Sequence, residues 1–494
     1  MRLDILLQGI PILEKIHWDP HRTIKDITSD SRAIGAGGLF VACRGSRMDG
    51  HDFLGQAILA KASAILYEQT PEIGIPSHVT GIRVSNTQIC LAELLKRFYQ
   101  SPDQKVKIIG VTGTNGKTTI AYLLQRLLSE KAKAAYVGTL WYQLPNQKFM
   151  APNTTPGAET LFPLLKQMRH ENVRYCVMEV SSHALDQHRV HGIEFELALF
   201  TQLTQDHLDY HKTMERYFQT KRLLFTQPPL PKKMLINRDC LYGRRLLEEA
   251  LSAKSFSMHE PADYEAFDIH TSFQGSHFKL RFGNRKIPFQ IRLPMRHNVA
   301  NMVAVLGALD LLGFDLEDFR GSLQEIAGVP GRLERIPGSG DFQVFVDYAH
   351  TPDAFENVLG EARKLNPRRI LTLFGCGGDR DRTKRPLMMQ AACRYSDLVF
   401  LTSDNPRSED PELILEDIKK GIPLEKTVTP EIYEILDRRL AIEKLISLSE
   451  PGDVVFVLGK GHEDYQILGD KKIVFDDRLV VQEFLKRKSR VFFS

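Results

Sequence analysis

Gly110-Val-Thr-Gly-Thr-Asn-Gly-Lys-Thr-Thr119 is the stretch that decides how this chain folds. The apolar run Val106-Lys-Ile-Ile109 before it reads as a buried strand. Ile120-Ala-Tyr-Leu-Leu-Gln-Arg-Leu-Leu128 after it repeats its apolar residues at helical spacing. Strand, glycine-rich turn, Lys-Thr and helix are the layout of a phosphate-binding loop. Backbone N–H groups and the helix N-terminus cradle phosphates, the lysine neutralises them, and the hydroxyl reaches Mg²⁺. The general pattern wants its glycines further apart, and Val111 stands where the first would be. The spacing Gly113-x-x-Gly116-Lys117-Thr118 therefore narrows the class of loop.

Working outward, strand and helix patterns keep alternating. Tyr136-Val-Gly138 ends a short strand, and a helix follows Pro156. Tyr175-Cys-Val-Met-Glu-Val180 is a strand ending in Ser181-Ser-His183, and Leu197-Ala-Leu-Phe-Thr201 one ending in Gln205-Asp-His-Leu-Asp209. Strands separated by helices predict a largely parallel sheet with ligands at its carboxyl edge, so these polar clusters face the same edge as the phosphate loop. Glu179 and His207 become candidate Mg²⁺ ligands there, although oxygen donors dominate around that ion. A lone strand-end Glu or His is more often a solvated surface group; the shared edge is what favours a site.

Before the loop, Gly38-Leu-Phe-Val-Ala42 and Ala62-Ser-Ala-Ile-Leu-Tyr67 are short strands, and a helix from Ile89 to Tyr99 stops at Gln100-Ser-Pro-Asp103. The segments Ser29-Asp-Ser-Arg32 and Gly45-Ser-Arg-Met-Asp-Gly50 are polar and turn-rich, a composition that binding loops share with ordinary surface loops. After the loop, Asn298-Val-Ala-Asn301 opens an apolar helix running to Leu312 and ended by Gly313. A second helix, Leu316 to Ala327, leads into Gly328-Val-Pro-Gly-Arg332. The last third alternates again, with strands at Val344–Asp347, Arg369–Phe374, Leu398–Thr402 and Val454–Leu458. The expected fold is α/β in three domains: a small N-terminal α/β domain (1–100), a central ATPase-like, mostly parallel sheet (101–331) and a Rossmann-like C-terminal domain (332–494).

The bulk properties agree with a globular chain. It has 494 residues, 43% apolar and 26% charged, and a net charge of +4, which gives no electrostatic case for nucleic acid. No run approaches the ~20 apolar residues of a membrane span, and Met1-Arg-Leu-Asp-Ile-Leu-Leu-Gln8 lacks the form of a signal peptide. Six scattered cysteines without a C-x-x-C pair read as reduced thiols, which points to a cytoplasmic protein.

A phosphate loop alone permits an ATPase, a kinase or an ATP-driven ligase, and the last domain separates them. Arg380, Arg382, Lys384 and Arg385 follow the Cys376-Gly-Gly-Asp379 turn, and Arg407 closes Asp404-Asn-Pro-Arg407. Guanidinium forks suit carboxylates, and Asp404 or Glu463 could hold an ammonium, so the loops suit a zwitterionic amino acid.

With these motifs in hand the chain resembles the Mur ligases, ATP-dependent amide-forming enzymes of peptidoglycan precursor synthesis. The resemblance rests on Gly113-Thr-Asn-Gly-Lys-Thr-Thr119, Asn153-Thr-Thr-Pro156, Glu179-Val-Ser-Ser-His183, Asp206-His207, His297-Asn-Val-Ala-Asn301, Gly331-Arg332 and Asp347-Tyr-Ala-His-Thr-Pro352, in family order along nearly the whole chain. Within the family, Gly375-Cys-Gly-Gly-Asp-Arg-Asp381, Lys384-Arg-Pro386, Asp404-Asn-Pro-Arg407 and Gly459-Lys-Gly-His-Glu-Asp464 look like the branch that adds the third residue to UDP-N-acetylmuramoyl-L-Ala-D-Glu.

The resemblance implies that ATP converts the D-Glu side-chain carboxylate to an acyl phosphate, which the amine of the incoming amino acid attacks. It implies Gly113, Thr114, Asn115, Gly116, Lys117, Thr118 and Thr119 on the phosphates, with Asn298, Arg332 and Asp347 reaching ATP from the far side. Mg²⁺ would lie by Thr118, Glu179, His207 and Lys221, the last as N6-carboxylysine, so that Lys117, Glu179, His207 and Lys221 are the catalytic set. Asn153, Thr154, Thr155, Ser181, Gln187 and Arg189 would contact the muramoyl-dipeptide. Ser29, Ser31, Ser46, Arg47 and Met48 would face the uridine. Arg385, Asp404, Asn405, Pro406, Arg407, Gly459 and Glu463 would form the amino-acid site. Arg407 implies meso-diaminopimelate, whose distal carboxylate L-lysine lacks. A monomer in the cytoplasm, free of nucleic acid and membrane, is the expectation. The competing readings are the same ligation with L-lysine, a folylpolyglutamate synthetase-like ligase, and a phosphate-loop nucleotide sensor.

Overall fold

A computed structural model describes residues 1–45, 48–338, 340–423 and 430–491, with side chains to 488. The centre is an eleven-stranded sheet whose parallel core runs, from one side to the other, Lys254–Ser257, Met234–Asn237, Phe195–Phe200, Lys107–Thr112, Tyr175–Glu179 and Ala134–Val137. The phosphate-loop strand Lys107–Thr112 is thus flanked by the two strands whose ends carry the polar clusters. Glu179 stands level with Val111, and Phe200 with Thr112. The core strands are buried on both faces, which is why their sequences read as continuous apolar runs rather than alternating ones.

Both wings of this sheet are antiparallel. On one side Tyr142–Leu144 and Gln147–Phe149 fold back on Ala134–Val137. On the other, Tyr264–Ser272, Gly275–Phe282 and Arg285–Ile291 form a meander with alternating burial. Helices Lys117–Ser129 and Arg296–Leu311 pack on one face of the sheet. Helices Ala158–His170 and Met214–Thr226 pack on the other, in a core continuous with that of the N-terminal sheet. Gly313 at φ +92° ends the Arg296–Leu311 helix where expected. The expected helix Leu316–Ala327 is instead a 3₁₀ turn, Leu316–Phe319, running into a short helix, Arg320–Glu325. Gly321 and Ser322 weaken its start, and Ile326 is extended ahead of the Gly-Val-Pro turn.

The N-terminal sheet has five strands, four of them parallel, with Ile12–Ile16 antiparallel at one edge. The C-terminal sheet has six, in the spatial order Glu334–Ile336, Gln343–Asp347, Val454–Leu458, Ile370–Phe374, Leu398–Leu401 and Glu431–Glu434. All but the first pairing are parallel, and apolar cores lie on both faces. Its carboxyl edge carries Asp347, the turn after Phe374, Asp404–Arg407 and Gly459–Glu463. Among the described residues no helix is long and apolar enough to cross a membrane.

Candidate active site

The phosphate loop leaves its strand at Thr112 and enters the helix at Lys117, with Gly113 at φ +141° and Gly116 at φ +87°. A Cβ on Gly113 would lie 1.9 Å from Thr201 Oγ1, so a side chain there would break the seam between loop and neighbouring strand end. Thr201 Oγ1 closes that seam by donating to Asn115 O at 2.6 Å.

Two lysines converge on this loop, Lys221 buried and Lys117 half-buried. Lys117 Nζ donates to Gly113 O (2.9 Å) and Thr114 O (2.8 Å), and Lys221 Nζ donates to the same Gly113 O at 2.8 Å. Neither has a carboxylate partner among the described residues. Burial lowers the pKa of both amines, and Lys117 pushes that of Lys221 further down, well below the ordinary lysine range. Two amine donors sharing one carbonyl leave room for an anion between them.

Glu179, 0% exposed, supplies the neighbouring acid. Its Oε1 accepts from Tyr136 OH (2.6 Å) and Thr139 N (2.8 Å), and its Oε2 from Thr118 Oγ1 (2.9 Å) and Thr139 Oγ1 (3.1 Å). The paired hydroxyl and carboxylate are hard oxygen donors beside a phosphate cradle, which fits Mg²⁺. That ion takes one or two protein oxygens and fills its remaining positions with phosphate and water. His207 stands across the cleft beside Asp206, its ring edge-on to His183 at 5.0 Å. Loss of hydration, with Lys117, Lys221 and His183 nearby, lowers its pKa and keeps the imidazole neutral, as a ligand must be.

These groups line a cleft of ≈ 650 Å³ between the central and C-terminal domains. Lys117, Thr118, Glu179, His207, Lys221, Asn298, Arg332 and Asp347 all reach it, so the structure gathers the expected nucleotide set in one place. Arg332 Nη2 donates to Thr118 Oγ1 at 3.1 Å, and its guanidinium lies 4.5 Å from the centre of the Tyr348 ring. Asp347 accepts from Leu333 N and Ala349 N at 2.6 and 2.7 Å, which fixes the linker between the domains. Asp353 ties the C-terminal domain to the loop itself, its Oδ2 accepting from Asn115 Nδ2 (3.1 Å) and Thr204 Oγ1 (3.0 Å). Sequence reading did not single out Tyr136, Thr139 or Asp353 for the site; each acts through a contact that no local spacing encodes.

The remaining expected contacts divide. Thr154 and Ser181 line the cleft. Gln187 Oε1 accepts from Arg189 Nε and Nη2 at 3.1 and 2.6 Å, and Arg189 Nη1 reaches Thr155 O at 2.9 Å, which makes a pre-formed guanidinium shelf beside it. Asn153 is exposed, with its carbonyl held by Tyr142 OH at 2.5 Å. Three residues read as substrate contacts are otherwise engaged. Thr155 is wholly buried and donates to Glu179 O at 2.8 Å, so it shapes the strand end. Ser29 gives its amide and hydroxyl to Glu159, each at 2.7 Å, as a bridge between the N-terminal and central domains. Arg385 is 0% exposed, its fork taken by Glu409, Asp417 and Gly377 O, so it braces the 377 turn instead of offering a free guanidinium. Ser31 Oγ donates to Gln56 Oε1 at 3.2 Å, and Met48 is exposed. Ser46 and Arg47 lie outside the described residues.

In the C-terminal domain Asn405 Nδ2 donates to Glu463 Oε2 at 2.8 Å, and Asp404 lies against Gly459, where a Cβ would come within 2.8 Å of its Oδ2. Arg407, at φ +53°, spends Nη1 on Gly378 O (2.8 Å). Its Nε and Nη2 make no hydrogen bond among the described residues. Asn405 joins these loops, its side chain on Glu463 and its carbonyl 3.5 Å from Arg407 Nη1, so Asp404–Arg407 and Gly459–Glu463 lie together with two carboxylates and a half-free fork.

A phosphate loop at a strand switch point, with its cleft completed by a second α/β domain, fits an ATP-dependent ligase. The chain belongs to the Mur ligase family. Three models of that family match in order: Mur ligase family, catalytic domain, over 23–99; Mur ligase middle domain over 111–309; and Mur ligase, glutamate ligase domain, over 331–461. The UDP-N-acetylmuramoyl-L-alanyl-D-glutamate–2,6-diaminopimelate ligase of Clostridium botulinum is 41% identical over 492 residues, 98% of this chain and 100% of that protein. The enzyme of the same name from Trichormus variabilis is 45% identical over 464 residues, 92% of each chain. A solved structure of a ligase of that name superposes with a TM-score of 0.72 at 32% identity, covering 99% of this chain and 100% of the other.

Proposed function

We propose that the protein joins meso-2,6-diaminopimelate to the D-Glu side-chain carboxylate of UDP-N-acetylmuramoyl-L-alanyl-D-glutamate, with ATP as the activating reagent. The observation that carries this reading is the meeting of Asp404, Asn405, Arg407 and Glu463 at one edge of a domain that also closes the nucleotide cleft. Relatives of that activity, 41–45% identical over nearly the whole chain, support it.

The chemistry follows from the groups in place. ATP transfers its γ-phosphoryl group to the carboxylate, giving an acyl phosphate. The amine attacks, loses a proton, and phosphate leaves as the amide forms. Lys117 and the loop amides stabilise charge on the transferring group. Thr118, Glu179 and His207 would hold Mg²⁺, which neutralises the phosphates. Lys221 would be the residue that carries the carbamate: burial and the neighbouring Lys117 lower its pKa, which favours the free base, the form that adds CO₂, and the carbamate would supply a further anionic oxygen ligand for the metal. Arg332, Asn298 and Asp347 close over ATP and exclude water from the acyl phosphate. Asn153, Thr154, Ser181, Gln187 and Arg189 take the dipeptide, and Ser31 and Met48 the uridine end. We divide the chain at 100/101 and 331/332 and take it to act as a cytoplasmic monomer.

Arg407 sets the choice of amino acid. Its free Nε and Nη2 match the distal carboxylate of diaminopimelate, whereas L-lysine would leave the fork unpaired. Phosphate release should require ATP, the UDP-muramoyl-dipeptide and meso-diaminopimelate together, and Arg407→Ala should cost about 10²-fold or more in kcat/KM for the amino acid. Equal turnover of L-lysine with Arg407→Ala unaffected would overturn the assignment. Release with ATP alone would make the protein an ATPase.

A further inference from the structure

Lys460 has no exposed side-chain surface, yet it sits in the amino-acid loop between two glycines with positive φ, Gly459 at +110° and Gly461 at +54°. Its Nζ donates to Glu463 Oε2 at 3.0 Å and lies 3.5 Å from Asn405 Oδ1, with the Tyr465 ring centre 5.4 Å away. Glu463 Oε2 also receives Asn405 Nδ2, so that oxygen takes two donors, while Oε1 accepts no hydrogen bond among the described residues. Asn405 Oδ1 is held in addition by Ile467 N at 3.0 Å. The turn packs closely: a Cβ on Gly461 would lie 2.6 Å from Gly331 O, so the loop lies against the segment that carries Arg332.

A buried lysine is a costly way to stabilise a loop, because desolvation offsets most of what its ion pair gains. Its effect on the charge of the pocket is larger. Asp404 and Glu463 bring two negative charges, Arg407 brings one positive charge, and Lys460 brings the second. With Lys460 these four groups balance, which matches a distal end that carries both an ammonium and a carboxylate. Without it they leave one excess negative charge, which matches an end that carries an ammonium alone.

We propose that Lys460 is a positioning and specificity residue that fixes the Glu463 and Asn405 rotamers and, by balancing the pocket charge, favours a zwitterionic distal group over a purely cationic one. This rests on the diaminopimelate reading above.

The test is steady-state kinetics of full-length enzyme with meso-diaminopimelate and with L-lysine, for the wild type, Lys460→Met and Lys460→Arg. Lys460→Met should raise KM for diaminopimelate about tenfold or more while leaving KM for ATP and for the UDP-substrate unchanged. It should also shift the diaminopimelate-to-lysine ratio of kcat/KM toward lysine. Lys460→Arg should recover most of that ratio. A merely structural lysine would lower both amino acids in proportion and leave the ratio fixed, which would overturn the proposal, as would an unchanged KM. A wild-type enzyme that does not use diaminopimelate at all would instead sink the functional reading, so the two failures are distinguishable.

Discussion

The protein draws basic side chains inward in two places and treats them in opposite ways. At the phosphate loop, among the described residues, Lys117 and Lys221 hydrogen-bond only to carbonyl oxygens, with the Tyr217 ring centre 4.8 Å from Lys221 Nζ, and they crowd one another over Gly113. Among the described residues of the C-terminal domain every buried cation has its own acid: Lys460 has Glu463, Arg385 has Glu409 and Asp417, and Arg438 has Asp477. The first region is left short of negative charge and is completed by what binds there, phosphate or a carbamate. The second is balanced before anything binds, as suits a substrate that is itself a zwitterion. The two chemistries of a ligase, activating with an anion and selecting an amino acid, are thus written in the same residue types with different pairing.

The largest expected effect breaks the first half of this contrast. Lys221→Met removes the group that would become an anion, and kcat should fall by about 10²–10³-fold. Stability should move the other way. A lysine whose folded pKa lies below its unfolded value binds fewer protons when folded, so its cost is present at neutral pH and is relieved as pH rises toward 10.5. In CO₂-free buffer at neutral pH, Lys221→Met should therefore melt higher than the wild type, and the pH-dependent gain should be smaller in the variant. A lower melting temperature would mean that the amine has a partner the geometry does not show.

Next in size is the self-paired region. Arg438 and Asp477 are both wholly buried, with Nε and Nη2 on the two carboxylate oxygens at 2.8 and 2.7 Å. Asp477→Ala strands the guanidinium, a loss of about 3–5 kcal/mol, read by chemical denaturation. Arg438 Nη2 also holds Leu458 O, just before Gly459, at 3.0 Å. Any folded fraction should accordingly show a raised KM for the amino acid and an unaltered KM for ATP.

The contrast also marks what the sequence could carry. The phosphate loop and its flanking strands were legible because their chemistry is local: glycines, Lys117 and Thr118 are adjacent, and the buried strands are continuous apolar runs. The antiparallel wing at 264–291 left a weaker sign, the alternation along Tyr264–Ser272 and the Gly283-Asn284 hairpin turn, which the surrounding helix–strand alternation hid. Pairing was not legible at all. Ser29 is satisfied by an acid 130 residues away and Arg385 by two acids 24 and 32 residues away, so both read as free hands. Lys460 stood in the Gly459–Asp464 motif without a role of its own, and only the packed loop shows it buried.

The smallest effect tests whether the two regions are coupled by the clasp between them. Asp353 stands in the first turn of helix Pro352–Lys364, and one of its oxygens accepts from both the phosphate-loop Asn115 and Thr204. It touches the loop from outside, through a side-chain amide, and leaves the cradle amides and Lys117 alone. Losing two hydrogen bonds to a carboxylate, partly replaced by water at a half-buried position, should weaken closure by a factor of about two to ten. Asp353→Ala should then raise KM for ATP by that factor and leave the diaminopimelate-to-lysine ratio as it was, since neither Arg407 nor Lys460 is disturbed. A kcat lowered tenfold with KM unchanged would move Asp353 from domain closure into the transfer step. A change in the amino-acid ratio would show that the charge balance of the C-terminal pocket depends on how tightly the domain is drawn onto the loop.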